Sequence, residues 1–268
     1  MSWSWHTAVL VVGALGLLGS ELRNRTLRIE LTRPSARRRR NVSYLVASLA
    51  TMVALQIISA YVRTLVPSFV DWSSVPVLQV AACFLVAELF YWAVHFVKHI
   101  SSTLWRFHFQ HHRERHFDMW LVAHVHGFEV LVGSAIAAAL LAALGFELWV
   151  IQLYMLFFSL ANFYQHSSHD LSLGWLDHII VNPAYHRIHH GVTERGNYGH
   201  TLTVWDVVFR TARWPVPGEV VATGIEENGE PFGFWTEMLY PFAPSFAQRL
   251  AARRPSTKDQ VASSTASA

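Results

Sequence analysis

Cysteine is almost absent from this chain, whose 268 residues contain a single one, Cys83. An internal disulfide and a metal site built from several cysteines are therefore excluded, and so is the paired-cysteine attachment of a c-type haem. Because Cys83 lies in the apolar run AACFLVAELF, we expect it to be a small buried hydrophobic residue rather than a functional thiol.

Charged residues are also scarce. They make up 15% of the chain against 52% hydrophobic residues, and the mean hydropathy is +0.26. This composition is too apolar for an ordinary soluble enzyme and favours a membrane protein. Common motifs of soluble catalysts are missing as well, because the sequence contains no H-E-x-x-H, no phosphate-binding P-loop and no C-x-x-C pair.

Long apolar segments are what the sequence does contain. A helix needs about 20 apolar residues to cross a bilayer, and we assign candidate spans to residues 3–20, 44–62, 75–95, 127–145 and 148–164. The first segment has no positively charged start and no cleavage site, so we interpret it as a retained anchor rather than a signal peptide. Only Phe146 and Glu147 separate the last two segments, which predicts a tight helical hairpin. Whether this hairpin fully crosses the bilayer stays open.

An arginine-rich segment, 21–41, lies between the first two apolar segments. By the positive-inside rule it is predicted to be a cytoplasmic loop. Its run RRRR at 37–40 is also compatible with nucleic-acid binding, but between two apolar spans it is better interpreted as a topology determinant at anionic lipid. We therefore predict a membrane partner and no nucleic-acid partner.

Histidines are concentrated in two windows, 95–116 and 166–190, which hold twelve of the sixteen. The stretch RFHFQHHRE contains H-x-x-H-H at 108–112, and NPAYHRIHHG repeats it at 186–190. Residues three and four apart share one helix face. Because the 127–164 hairpin leaves the cytoplasmic face and returns to it, every histidine cluster is predicted to lie on that face.

Clustered imidazoles call for a bound cation. Protonated together they would repel, and unprotonated they would be buried polar groups without partners. Neutral imidazole is a good ligand for zinc, copper, iron and nickel. The number of histidines exceeds the four ligands of a structural zinc site and suits two metal ions with positions left open for oxygen. Spacing alone does not choose the metal.

The four clusters HFVKH (95–99), HFQHH (108–112), QHSSH (165–169) and HRIHHG (186–191) resemble those of the fatty acid hydroxylase and sterol desaturase superfamily of integral-membrane di-iron oxidoreductases. The companion motifs HGFE (126–129) and NYGHTLTVWDVVFRT (197–211) are similar too, although Gly127 stands where much of that family has proline. By this resemblance the metal ligands would be His95, His99, His108, His111, His112, His166, His169, His186, His189 and His190.

The resemblance implies two iron ions, with dioxygen as co-substrate for oxidation of a lipid C–H bond. The fold implied is all-α, a multi-span integral-membrane helical protein with a cytoplasmic, histidine-rich, metal-binding cap. We divide the chain into a membrane anchor region (1–74), a catalytic domain (75–215) and a C-terminal extension with a disordered tail (216–268). No flavin, haem or iron–sulfur motif is apparent, so the electrons would come from a separate donor protein and its reductase.

The substrate and reaction stay open at this point. Fatty acyl chains, sterol-like rings, hopanoids, carotenoids and lipid head groups all remain candidates, and hydroxylation and desaturation follow from the same hydrogen abstraction. A membrane zinc hydrolase is an alternative, but no glutamate stands beside a histidine pair as a general base. A metal transporter is another, but it would place its ligands near the bilayer midplane.

Several other polar residues have two interpretations. Glu88, within the third apolar segment, and Glu129 are each expected either to support the metal site or to make a structural hydrogen bond. His126 is a candidate for orienting a ligand, and GNYG at 196–199 is typical of a turn. The segment PFAPSFAQRLAARR at 241–254 is predicted to form a short basic amphipathic helix on the membrane.

Overall fold

The helices of the chain follow its apolar segments closely. The computed structural model describes residue 19 and residues 36–193, 195–225 and 233–243. The α-helices there are α1 (Ala36–Leu65), α2 (Pro76–Ile100), α3 (Ser102–Arg113), α4 (Gly127–Ala143), α5 (Leu148–Gln165), α6 (Pro183–His189), α7 (Val204–Val208) and α8 (Phe234–Leu239). Short 3₁₀ helices cover Met119–Val122, Gly174–His178 and Tyr240–Phe242. Only two isolated bridges and no strands occur in these ranges, so the all-α prediction is confirmed for them.

Within the described ranges, two helices, α1 and α2, are long and apolar enough to cross a membrane. At 1.5 Å per residue they measure about 45 and 38 Å, more than the roughly 30 Å of a bilayer core. Helices α4 and α5 have 17 and 18 residues, or about 26 and 27 Å. The hairpin is therefore slightly short for a full crossing. The first predicted span, 3–20, lies outside the described residues except for Gly19.

The four long helices alternate in direction. Helix α1 packs along α4, and α2 contacts α4 and α5. At one end, which we call the tip, Arg63 at the end of α1 donates to the carbonyl of Phe146 at 3.1 Å, and Trp72 donates to the carbonyl of Leu144 at 2.7 Å. The rings of Trp72 and Phe146 stack with centroids 5.2 Å apart. These contacts fix the α4–α5 turn against the connection between α1 and α2.

The turn of the hairpin depends on a glycine. Gly145 has a φ of +75°, a conformation that L side chains rarely adopt. A Cβ there would stand 2.0 Å from the carbonyl oxygen of Val70. Gly145 thus permits both the tight reversal between α4 and α5 and the close approach of the 66–75 connection.

The opposite end of the bundle, which we call the cap end, carries two short helices that hold most of the histidines. Helix α3 is N-capped by Ser101, whose side chain accepts from the backbone N–H of Leu104, and this cap turns the chain directly out of α2. Helix α6 is N-capped by Asn182, whose side chain accepts from the backbone N–H of Tyr185, and Pro183 lies in its first turn. In both helices the N-cap side chain accepts from a backbone N–H group of the first turn, which has no partner within the helix.

The arginines at 37–40 lie in a helix, not in the loop that we predicted. They form the first turns of α1, at the cap end. Arg40 is buried and pairs with both Glu114 and Glu237, while Arg37 pairs with Asp118 at 2.8 Å. These two side chains are therefore held by carboxylates of the protein, and the expectation that the whole run touches lipid is wrong for them.

Candidate metal centre

Four separate elements deliver histidines to the cap end of the bundle. His95 and His99 occupy the last turns of α2, and three more, His108, His111 and His112, lie on α3. His166 is the C-cap of α5. The remaining ones, His186, His189 and His190, lie on α6 and at its C-cap.

These histidines form two groups in which the possible ligand atoms all lie within 4.8 Å of one another. The first group consists of His95, His99, His108, His112 and His189. The second group consists of His111, His166, His186 and His190. Nine of the ten predicted ligands are thus brought together.

Each H-x-x-H-H box is divided between the two groups. On α3, His108 and His112 belong to the first group and His111 to the second. Helix α6 shows the reverse, because His189 belongs to the first group while its two box partners belong to the second. At about 100° per residue, positions i and i+4 are close in direction and i+3 is rotated away, so one helix can serve two sites.

The two groups are immediate neighbours. The rings of His112 and His190, one from each group, stack with centroids 4.4 Å apart and planes 16° apart. The rings of His111 and His112 lie 5.6 Å apart. Two ions held here would share one cavity, as the convergence of the clusters predicts.

Hydrogen bonds fix which ring nitrogen faces the cavity. The Nδ1 atoms of His95, His189 and His166 lie 2.8–2.9 Å from the carbonyl oxygens of Tyr198, Gly196 and Asn162, respectively. A carbonyl only accepts, so each Nδ1 carries the proton and each Nε2 presents a lone pair. Such outer bonds orient metal-ligating imidazoles and raise their basicity.

His108 is held in the same way by a carboxylate. Its Nδ1 lies 3.0 Å from Oε1 of Glu129, and Lys98 donates to the same oxygen at 2.7 Å. Glu129 therefore orients His108 within the first histidine group, in keeping with one of the two roles considered for it. Its second oxygen is buried without a hydrogen-bond partner among the described residues.

Opposed lone pairs show that the pocket fits a cation. Nε2 of His95 lies 3.1 Å from Nε2 of His108, yet both rings carry their proton on Nδ1. Two lone pairs at this separation repel unless a positive ion lies between them. With metal–nitrogen bonds of about 2.1 Å, adjacent ligands at right angles would stand about 3.0 Å apart, close to the observed spacing. The buried Nε2 atoms of His99 and His189 also lack a described partner.

Burial keeps the imidazoles in the form that binds metal. Loss of hydration is the main cause, and it lowers the pKa of both His166 and His189 to about 4. The pKa is held well below its usual value, mainly by burial and further by neighbouring imidazoles or cations, for His108, His111, His112, His186 and His190. At neutral pH these rings are uncharged and available as ligands.

His169 stands apart from the other nine predicted ligands, since it belongs to neither group. It follows the C-cap of α5 by three residues, and its Nε2 is buried with no described hydrogen-bond partner. Its assignment as a ligand stays a prediction.

Other histidines have different surroundings. His126 caps α4 by accepting from the backbone N–H of Phe128, and its Nε2 donates to the carbonyl of Met238 at 3.0 Å. His126 therefore connects the start of α4 to Met238 rather than orienting a metal ligand. His200 adjoins the site, with its ring centroid 5.1 Å from that of His95. Its isolated position in NYGH gives no sign of this proximity.

Two carboxylates hold the loop that contacts the first group. Glu88 on α2 accepts from the backbone N–H groups of Thr201 and Leu202 and from the hydroxyl of Tyr154, and these are structural hydrogen bonds, one of the two roles expected for it. Asp206 accepts from Tyr198 N–H, Gly199 N–H and the Trp92 indole. Sequence reasoning missed Asp206, since a lone aspartate in VWDVV gives no metal or catalytic signal.

The turn predicted at GNYG is present. Asn197 adopts a φ of +55°, and its side chain donates to the carbonyls of Tyr185 and Arg213. This turn presents the Gly196 and Tyr198 carbonyls to the histidines of the first group.

Comparison with known proteins agrees with this geometry. Residues 80–211 match the family model described as fatty acid hydroxylase. The chain is similar to the ornithine lipid hydroxylase OlsE of Rhizobium tropici, with 27% identity over 180 residues, which are 66% of this chain and 54% of that protein. The chain thus spans about half the length of this curated relative. No solved structure matches it.

Proposed function

We propose that this chain is a membrane-bound enzyme that hydroxylates a lipid with dioxygen, because residues 80–211 match the fatty acid hydroxylase family model and the chain is similar to a lipid hydroxylase. The observation that carries the proposal is the pair of adjoining histidine groups, with the lone pairs of His95 and His108 opposed at 3.1 Å. The choice of metal rests on the family match, by which we propose that the site holds two iron ions.

The protein's own residues would hold and orient the ions. Five histidines would bind one ion and four the other, with His169 as a further proposed ligand of the second. When bound, the two irons would supply the activation of dioxygen needed to oxidise a C–H bond. The carbonyls of Gly196 and Tyr198 would keep the first-group rings in position, as outer hydrogen bonds do in other metal sites.

The overall reaction requires electrons from outside the chain. A C–H group and dioxygen, with two electrons and two protons, give an alcohol and water. We propose a separate electron-donor protein and reductase as their source. Both the family description and the name of the relative favour hydroxylation over desaturation. The substrate class proposed is a membrane lipid, and the relative is named for hydroxylation of ornithine lipid.

Aromatic contacts support an approach for the lipid from the apolar helices. The ring of His200 lies 5.6 Å from Tyr91 of α2 and 5.2 Å from Phe158 of α5, and it adjoins His95. A chain entering between α2 and α5 would reach the first group by this aromatic path. We propose that the cap faces the cytoplasm, because the arginine-rich start of α1 lies at the same end as the histidines.

A zinc hydrolase is the second candidate, but the site favours it less. Neither described histidine group includes a carboxylate, and Glu129 is already engaged by Lys98 and His108. A hydrolase would need a general base near the metal-bound water.

Lipid analysis tests the proposed reaction. Lipids extracted from cells producing the native chain should include a species heavier by one oxygen atom, which is absent with His189→Ala and present with His178→Ala. His178 is exposed and outside both groups, so it serves as the matched control. A species lighter by two hydrogens would instead indicate desaturation, and turnover without dioxygen would contradict the proposal.

A further inference from the structure

The segment Gly233–Ala243, which we call the C-terminal strap, has one face bonded to the rest of the protein. Glu237 accepts from the hydroxyl of Tyr44 at 2.7 Å and from Arg40 at 3.4 Å, both on α1. The carbonyl of Met238 accepts from His126. The strap is therefore held against α1 and the start of α4.

The other face of the strap is apolar and exposed. Trp235, Leu239 and Phe242 are 74%, 66% and 59% exposed. Trp235 and Leu239 are four residues apart on α8 and so share one face of it, and Phe242 follows in the 3₁₀ turn Tyr240–Phe242. Large aromatic and aliphatic side chains exposed together mark a contact surface rather than ordinary solvent-facing residues.

This apolar face continues onto an apolar helix of the bundle. Phe242 contacts Phe128 in the first turn of α4, with ring centroids 6.3 Å apart. Phe128, Val132 and Ile136 are 47%, 43% and 53% exposed, and their spacing of four residues forms an exposed stripe along α4. Since α4 is one of the apolar helices, its stripe and the apolar face of the strap form one continuous apolar surface.

If the apolar helices span a bilayer, the strap lies at the edge of that bilayer. It lies where α1 and α4 begin and where the histidine-bearing cap starts, so the apolar helices extend from it in one direction only. Tryptophan is enriched at this depth in membrane proteins. The sequence after the strap contains Arg249, Arg253 and Arg254, whose charge is complementary to anionic lipid head groups.

We propose that the strap is an interfacial membrane anchor, with Trp235, Leu239 and Phe242 inserted into the lipid surface. Amphipathic segments of this kind bury their apolar face about 5–10 Å into the boundary between head groups and acyl chains. The anchor goes beyond the proposed reaction and does not depend on it. Because His126 and Arg106 donate to carbonyls of the strap, lipid contact there would hold the histidine cap at the membrane surface.

Site-directed spin labelling of the full-length chain tests the anchor. Single cysteines would replace Trp235, Leu239 or Phe242 in a Cys83→Ala background, with the protein in bilayers of phosphatidylethanolamine and phosphatidylglycerol. Val220 is the matched control, because it is an exposed apolar residue, 94% accessible, in the irregular segment after the turn at Pro217 and Gly218. Each labelled protein would first be required to retain the metal content of its parent.

The expected result is that labels on the strap collide readily with dissolved oxygen and little with a water-soluble nickel chelate, while the label at 220 shows the opposite preference. Equal access of the nickel chelate to the strap and to residue 220 would overturn the proposal. So would protection of the strap labels from both reagents, because that pattern indicates a second copy or another protein on this face.

Discussion

At the scale of single residues, the cap is organised by outer hydrogen bonds as much as by the histidines themselves. The backbone of Tyr198 is an example, since its N–H donates to Asp206 and its carbonyl accepts from His95. Asp206 also receives the Trp92 indole, so one buried carboxylate connects α2, the 197–203 loop and α7. His95 thus has a fixed orientation before any ion binds, which is the arrangement that favours tight metal binding.

Removing one ligand should affect one ion more than the other. His186 belongs to the second group only, so His186→Ala should reduce the metal content from two ions to about one per chain, because only three histidines of that group would remain. Elemental analysis of the purified membrane protein measures this. His178→Ala should leave both ions in place. Full metal content and full product formation in His186→Ala would show that α6 is wrongly assigned.

The residues that were and were not predictable differ in a physical way. The histidines were found because helical spacing places them on common faces, which a sequence shows directly. Their division into two groups depends on how α3 and α6 cross, which no local pattern encodes. Asp206 and the outer role of Glu129 likewise depend on contacts across long sequence separations, as does the position of His200.

At the scale of helices, the α4–α5 hairpin is fixed at both ends. Its tip is bonded to α1 and to the connection before α2 through Phe146 and Leu144. Its cap end carries Glu129, which bonds to His108, and His166, a member of the second group. The hairpin therefore sets the distance between the parts of the site as well as anchoring the chain.

Lengthening one leg of the hairpin should disrupt the site without altering a ligand. Inserting three or four residues within AIAAALLAAL, at 135–144, adds about one turn, or roughly 5 Å. Because the tip is held, Glu129 and the start of α4 would be displaced relative to α3. Metal content and lipid product should then fall together, as measured on membrane-inserted protein.

The same insertion after Gly218 provides the control. Gly218 is an exposed turn residue with no atoms crowding it, so the longer turn should leave metal content unchanged. Retention of both ions by the hairpin insertion would contradict the convergent site and would require each box to bind its metal independently.

The positions of the long apolar helices were predictable to within a few residues, because the length and hydropathy of a sequence segment determine where such a helix forms. The start of α1 was not, because Arg37 and Arg40 are stabilised in the helix by carboxylates distant in sequence. The predicted amphipathic helix at 241–254 lies mostly outside the described residues. The strap, which overlaps the start of that segment, has an apolar face that sequence reasoning did not identify. This face depends on which side of the strap bonds to α1.

At the scale of the whole molecule, the chain combines an apolar bundle with one polar end. Arg40 connects three parts of that end, because it pairs with Glu114 after α3 and Glu237 in the strap while lying in α1. A buried charge with two partners costs desolvation and is retained mainly where geometry is well defined. Sequence regions outside the matched 80–211 domain thus complete the surroundings of the histidine cap.

We propose above all that both H-x-x-H-H boxes jointly hold two iron ions. The most direct test is the metal stoichiometry of the full-length chain purified from membranes, measured by elemental mass spectrometry against protein concentration. We predict two irons per chain, in keeping with the two histidine groups. One zinc ion per chain, or protein that is fully active without bound iron, would contradict the account.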